Sequence, residues 1–180
     1  MEFRSVIDKA KQILEARIKE TDFVVDATVG NGNDLLFLCK LVSKGHAFGF
    51  DIQPEAVYRA EKLLKENNKT NYTIFLASHD LIDNCLNDYL GKISAVLFNL
   101  GYLPGGDKNI TTKAETTAKA IEGALKLLNK NGMLLIVVYP HEEGKKEGAE
   151  IMKFENKVSR FNIFKNTNNI NAPYLVILEK

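Results

Sequence analysis

Asn99 stands directly after the apolar run Ala95-Val96-Leu97-Phe98, and Tyr102 follows three residues later in a loop that continues through Leu103-Pro104-Gly105-Gly106-Asp107. An amide carbonyl at the end of a buried strand can accept from the N–H groups of an amine and aim its lone pair at an electrophile. A neutral amine is already a nucleophile, so such alignment contributes more than a strong base would. The ring of Tyr102 can stack on a planar base or shield the reacting atoms from water. A plain glycine- and proline-rich surface loop ahead of a helix explains the glycines, and Thr112-Lys113-Ala114-Glu115 reads as that helix's capping box. It does not explain the Asn. A second polar cluster, Tyr139-Pro140-His141, closes the later apolar run Met133–Val138. Tyr139 and His141 are expected to bound a substrate pocket, and His141, when not a simple exposed loop residue, to accept a proton. Asn99, Tyr102 and Tyr139 are thus the candidate catalytic residues.

Upstream, Phe23-Val24-Val25-Asp26 leads into Ala27-Thr28-Val29-Gly30-Asn31-Gly32-Asn33-Asp34, an acidic strand end followed by two glycines. Glycines there allow a tight turn and the approach of a ligand. A dinucleotide site would place a third glycine where Leu35 stands, which counts against NAD. S-adenosylmethionine carries no phosphate and suits the loop better. A simple turn with Asn33 or Asp34 as helix N-cap is the alternative, and it is compatible with ligand contact. Asp51 ends Phe48-Gly49-Phe50, nineteen positions after Gly32, where a carboxylate can accept from both ribose hydroxyls. An N-cap before Pro54 is the weaker reading of it. The candidate cofactor residues are Asp26, Gly30, Asn31, Gly32, Asn33, Asp51, Ile52, Gln53, Ser78, His79 and Asn99. Ser78 and His79 sit where adenine is usually clamped.

Helical and strand periodicities alternate along the chain and must position these residues. A helix over Val6–Ile18 precedes the strand Phe23–Asp26; further strands are expected at Ala47–Phe50, Tyr72–Leu76, Ala95–Phe98, Met133–Tyr139, Phe161–Lys165 and Tyr174–Leu178. Helices fall from about Asp34, at Pro54–Asn67, from about Asp80, at Thr112–Leu128 and at Lys145–Val158. The expected fold is α/β: a seven-stranded, mostly parallel sheet with helices on both faces and an antiparallel C-terminal hairpin, the Rossmann-like arrangement of class I methyltransferases. Asn99 and Tyr102 repeat the spacing of the Asn-Pro-Pro-Tyr motif of methyltransferases that act on amino nitrogens.

Taken together, DATVGNGND, FDIQ, FNLGYLPGGDK, the KAETT segment and VVYPHEEG resemble the YtqB/MnmM family, long labelled rRNA methylases, from about Asp26 to the closing Leu178-Glu179-Lys180. The resemblance implies an S-adenosylmethionine-dependent enzyme that methylates the primary amine of 5-aminomethyl-(2-thio)uridine at the tRNA wobble position. It implies that Gly30, Asn31, Gly32, Asp51, Gln53, His79 and Asn99 line the cofactor pocket, with Tyr102 close to the substrate. The chain departs from the family at Val6, Ala114, Pro140-His141 and Ala172, mainly on substrate-side loops. Methylation of rRNA or of a small molecule is a rival expectation, and a NAD-linked oxidoreductase or a non-catalytic cofactor-binding module a rival from another class.

The chain's 180 residues, 45% of them hydrophobic and 26% charged, bound the reading to a single domain over 1–180 with a sizeable core. The net charge of +1 does not advertise nucleic acid binding, but its distribution is uneven. Residues 1–100 hold 12 basic and 14 acidic side chains, and residues 101–180 hold 12 and 9. Lys108 and Lys113, with His141 and Tyr102, are therefore the candidate substrate contacts, reaching a tRNA anticodon stem-loop through phosphates. Lys145 and Lys146 are hemmed by Glu142, Glu143 and Glu147. Cys39 and Cys85 sit in apolar helical patterns without ligand-spaced partners, so buried thiols and no metal are expected. No apolar run approaches a membrane span; a cytoplasmic protein with no membrane partner is expected, and a homodimer is among its expected assemblies.

Overall fold

The computed structural model describes residues 5–103, 105, 110–165, 169 and 171–180. Strands β1 (Phe23–Asp26), β2 (His46–Asp51), β3 (Tyr72–Leu76), β4 (Ile93–Asn99), β5 (Leu128–Val138), β6 (Arg160–Phe164) and β7 (Tyr174–Glu179) form one seven-stranded sheet in the order β3-β2-β1-β4-β5-β7-β6. The first five strands pair in parallel, and β7 runs antiparallel between β5 and β6. The order turns back between β1 and β4. Connections leave these neighbours in opposite directions, so their C-terminal loops part and open a crevice above the sheet.

Side chains alternate across the strands, which splits the core into two layers. Val24, Ala47, Ala95, Leu97 and Leu135 pack against α1 (Val6–Arg17), α2 (Asn33–Leu41) and α3 (Pro54–Glu66). Val25, Phe50, Val96, Phe98 and Ile136 pack against α4 (Ile82–Cys85), α5 (Ala114–Leu127) and α6 (Glu142–Met152). With both faces covered, the central strands read as continuous apolar runs, as parallel sheets do.

Several element ends differ from expectation for physical reasons. The capping box at Thr112 is not used: α5 starts at Ala114, whose N–H donates to Glu143 Oε1 of α6 at 3.2 Å. The Thr112 hydroxyl instead accepts from the Gly101 N–H at 2.9 Å. Helix α6 begins before Lys145 because the His141 ring caps it, Nδ1 accepting from the Gly144 N–H at 3.0 Å. It ends at Met152 and gives way to a 3₁₀ turn at Glu155–Lys157, short of Val158. The helix expected from Asp80 is broken into 3₁₀ turns around the one-turn α4. Asp83, Asn84, Asn87 and Asp88 crowd that stretch, and such side chains favour turns over a continuing helix. Cys85 is consequently exposed, against expectation, while Cys39 is buried. Among the described residues no helix is long and apolar enough to cross a membrane.

Candidate active site

The C-terminal ends of β1, β2, β4 and β5 surround a cavity of about 700 Å³. One half of it is built on the turn after β1. Gly30 and Gly32 adopt φ of +52° and +82°, and a Cβ on Gly32 would lie 2.7 Å from the Ala60 Cα of α3. Gly32 is therefore also the N-cap of α2, with no side chain to cap it, so neither Asn33 nor Asp34 takes the cap role. The turn is tied to β2: Val29 N–H donates to Phe50 O at 3.0 Å, and Gly30 N–H to Asp51 Oδ2 at 2.8 Å. Asp51 Oδ1 accepts from the Gln53 N–H at 2.9 Å. Asp51 is thus not the N-cap of α3, a place held by Gln53; it braces the loop and lines the cavity. Gly30, Asn31, Asn33, Asp51, Ile52, Gln53, Ser78 and His79 share this wall. His79 is buried, which pushes its imidazole below the ordinary range, and its Nε2 has no partner.

Two expected cofactor residues stand back from the wall. Gly32 packs on α3, and Asp26 lies fully buried beneath the loop, its Oδ1 accepting from the Thr28 N–H at 3.1 Å. Burial first, then the charge of Asp34, pushes the Asp26 carboxyl up to about 8. Its role is to support the turn from below.

The other half of the cavity is built on β4 and β5. Asn99 N–H donates to Thr28 Oγ1 at 2.7 Å, which joins the end of β4 to the glycine turn. Asn99 Nδ2 donates to Asp34 Oδ2 at 2.7 Å, and Lys11 Nζ pairs with Asp34 Oδ1 at 2.8 Å. A carboxylate only accepts, so the amide nitrogen must face Asp34. Asn99 Oδ1 is left buried without a partner. Tyr139 lines the same wall, its phenol raised by burial and then by the Asp34 charge. Tyr102 is 44% exposed, lines the cavity, and bridges to Thr111. His141 lines it too, but its Nδ1 is engaged as an acceptor by α6. In the neutral ring Nε2 then carries the proton, so the ring offers a donor in place of the expected proton acceptor. Lys113 reaches the cavity; Lys108 lies outside the described residues. Lys146 is engaged by Glu143 at 3.2 Å, as the surrounding acids imply.

Sequence reasoning missed Lys11, Thr28, Asp34 and Thr112 as parts of the site. Asp34 stands in the glycine turn, where its type and place suggest at most the alternative of a helix cap, and nothing in the pattern of α1 singles out Lys11. Among the described residues no group of three His, Cys, Asp or Glu side chains is placed to hold a metal.

Comparison with known proteins agrees with this architecture. A family model described as "Putative rRNA methylase" matches residues 47–179. A Clostridium thermocellum crystal structure described as a "putative rRNA-methylase" is 34% identical, with a TM-score of 0.91 and 99% of each chain covered. A Streptococcus mutans "putative methyltransferase", solved in complex with SAH, is 29% identical at a TM-score of 0.86, again over 99% of each chain. The Arabidopsis thaliana "tRNA (mnm(5)s(2)U34)-methyltransferase, chloroplastic" is 32% identical over 160 residues, 83% of this chain but only 58% of that protein's length. With the family model covering well over half of its residues, the chain belongs to the rRNA methylase family so described.

Proposed function

We propose that this protein transfers a methyl group from S-adenosylmethionine to the primary amine of 5-aminomethyl-(2-thio)uridine at the tRNA wobble position. The observation that carries this reading is the Asn99 amide: its nitrogen is committed to Asp34 and its buried oxygen has no donor. A buried acceptor without a partner costs about 1–3 kcal/mol, which an amine N–H arriving at the cavity would recover. The plant relative's described substrate and the homologue solved with SAH, the demethylated cofactor, support it.

The residues of the cavity wall fit the cofactor. Asp51, already fixed by two backbone N–H groups, keeps lone pairs for ribose hydroxyls, and Gly30 and Asn31 line the wall beside it, where the amino-acid tail would lie. Ser78 and His79 close the adenine end, where the free Nε2 of His79 offers a polar contact. When bound, S-adenosylmethionine supplies an electrophilic methyl on a sulfonium. The chain's part is alignment: Asn99 Oδ1 accepts from the neutral amine and directs its lone pair, while Tyr139 and Tyr102 wall the site from water. The substrate ammonium gives up its proton to solvent before attack, so no strong base is required.

The test is methyl transfer to tRNA carrying 5-aminomethyluridine or its 2-thio form, read by nucleoside mass spectrometry. One added methyl on that nucleoside is expected. Transfer only to rRNA, or only to a small amine in a metabolite extract, would replace this substrate.

A further inference from the structure

Two side chains from outside the strand-end loops converge on Asn99. Asp34 lies in the first turn of α2, and Lys11 lies midway along α1, beside the buried Ala10 and Leu14. Their atoms form a chain, Lys11 Nζ to Asp34 Oδ1 at 2.8 Å and Asp34 Oδ2 to Asn99 Nδ2 at 2.7 Å. Lys11 Nζ also sits 5.3 Å from the centre of the Phe37 ring, so its ammonium is held from two sides. The helix that carries it is pinned in turn. Ser5 caps its start by accepting from the Asp8 N–H at 3.1 Å, and Arg17 at its end pairs with Glu179 of β7 at 3.0 Å. Lys11 is therefore a fixed feature of the cavity wall, which it lines together with Ile7.

A primary amide can present either its oxygen or its nitrogen to a ligand, and the two choices have opposite effects on an amine. Only the oxygen can accept the amine's N–H. A carboxylate on the other side of the amide removes the ambiguity, provided that the carboxylate itself stays in place. The Lys11 ammonium does this by holding the second carboxylate oxygen. We infer that Lys11, acting through Asp34, is a positioning residue that sets which face of the Asn99 amide meets the substrate. The inference rests on the role given to Asn99 above. It assigns part of the site to α1, the helix that precedes the cofactor turn.

A tie that merely joined α1 to α2 would show in stability and not in turnover. Lys11→Met keeps the unbranched stem to within one atom and removes the charge. It should lower kcat by about tenfold or more, with KM for tRNA and the SAH dissociation constant changing less than about twofold. Lys11→Arg should restore most of kcat, Asp34→Asn should match the loss, and adding Lys11→Met to Asn99→Ala should cost little more than Asn99→Ala alone. A readout that needs no substrate is the Asn99 side-chain amide in 15N-edited NMR spectra, whose hydrogens should exchange faster in Lys11→Met than in the wild type. Unchanged kcat and unchanged amide exchange in a folded Lys11→Met protein would overturn the inference, as would a fall in Tm without a fall in kcat. A wild type that methylates no tRNA would instead sink the substrate assignment, and the amide exchange would still decide the role of Lys11.

Discussion

The two halves of the cavity are built on different principles. Around the glycine turn, backbone groups answer one another: the Gly30 and Gln53 N–H groups meet Asp51, and the Val29 N–H meets β2. The turn itself is finished before any ligand arrives, and in that wall only His79 Nε2, at the far end from the turn, is left buried without a partner among the described residues. Around β4 and β5, polar atoms are brought together and left unanswered, with Asn99 Oδ1, Thr111 Oγ1 and His141 Nε2 all buried and without partners. Preorganised but unsatisfied groups belong where charge and hydrogen bonds change during a reaction. A binding half and a reacting half should then respond differently to the same kind of damage.

The largest expected effect is on the reacting half. Asn99→Ala removes the acceptor but none of the bonds that brace the glycine turn from β2. Single-turnover methylation should fall by about a hundredfold or more, while calorimetric SAH affinity stays within about twofold. Equal losses in rate and affinity would erase the distinction between the halves.

Asp26 is the exception that sharpens it, being a buried carboxyl under the binding half with one oxygen unpartnered. Its carboxyl is raised from 3.8 to about 8. Between those values the unfolded chain has released the proton and the folded chain keeps it, so stability falls as pH rises, by at most about 1.4 kcal/mol per pH unit. The stability is fully present below the unfolded value and lost by the time pH passes the folded one. Asp26→Asn has no proton to release and still accepts from the Thr28 N–H. Its unfolding free energy should fall less than that of the wild type between pH 5 and pH 8, by about 1–2 kcal/mol after relaxation and water entry are allowed for, read as a smaller fall in Tm. Parallel thermal curves would show that Asp26 is ionised and solvated.

These contrasts explain what was legible in the sequence. Strand and helix order could be read because apolar periodicity is local, and the glycine turn could be read because its constraint is local too: a positive φ at Gly32 and the approach of Ala60 leave few residue types. Asn99 was legible as a polar residue at the end of an apolar run. Its partners were not. Thr28 and Asp34 are joined to it only by the folded sheet, across 71 and 65 positions, and Lys11 only through Asp34. The His141 ring reads as chemistry in the sequence, but its role as the cap of α6 depends on where that helix begins, and periodicity alone points to Lys145.

On the binding half, Asp51→Ala removes the two charge-assisted bonds from Gly30 and Gln53 along with the proposed ribose contacts. SAH affinity should weaken by about tenfold or more. Saturating cofactor should recover most of the turnover, which Asn99→Ala would not allow. A folded Asp51→Ala protein with unchanged affinity would remove the ribose assignment and leave Asp51 as a loop brace alone.

The smallest effect belongs to the rim. Lys113 lines the cavity just before α5, in the half of the chain with the basic excess, and its positive charge is felt by the Glu143 carboxylate. That neighbour cancels part of its field, so one phosphate contact is the most it should provide. Lys113→Ala should weaken tRNA binding a few-fold and reduce the slope of log affinity against log salt by about 0.7–0.9, with SAH affinity unchanged. Glu143→Gln should act in the opposite direction, because it frees the lysine's charge without adding one. An unchanged salt slope in Lys113→Ala would place the RNA footprint elsewhere. A weakening that did not depend on salt would make Lys113 part of the reacting half, touching the nucleoside and not the backbone that carries it.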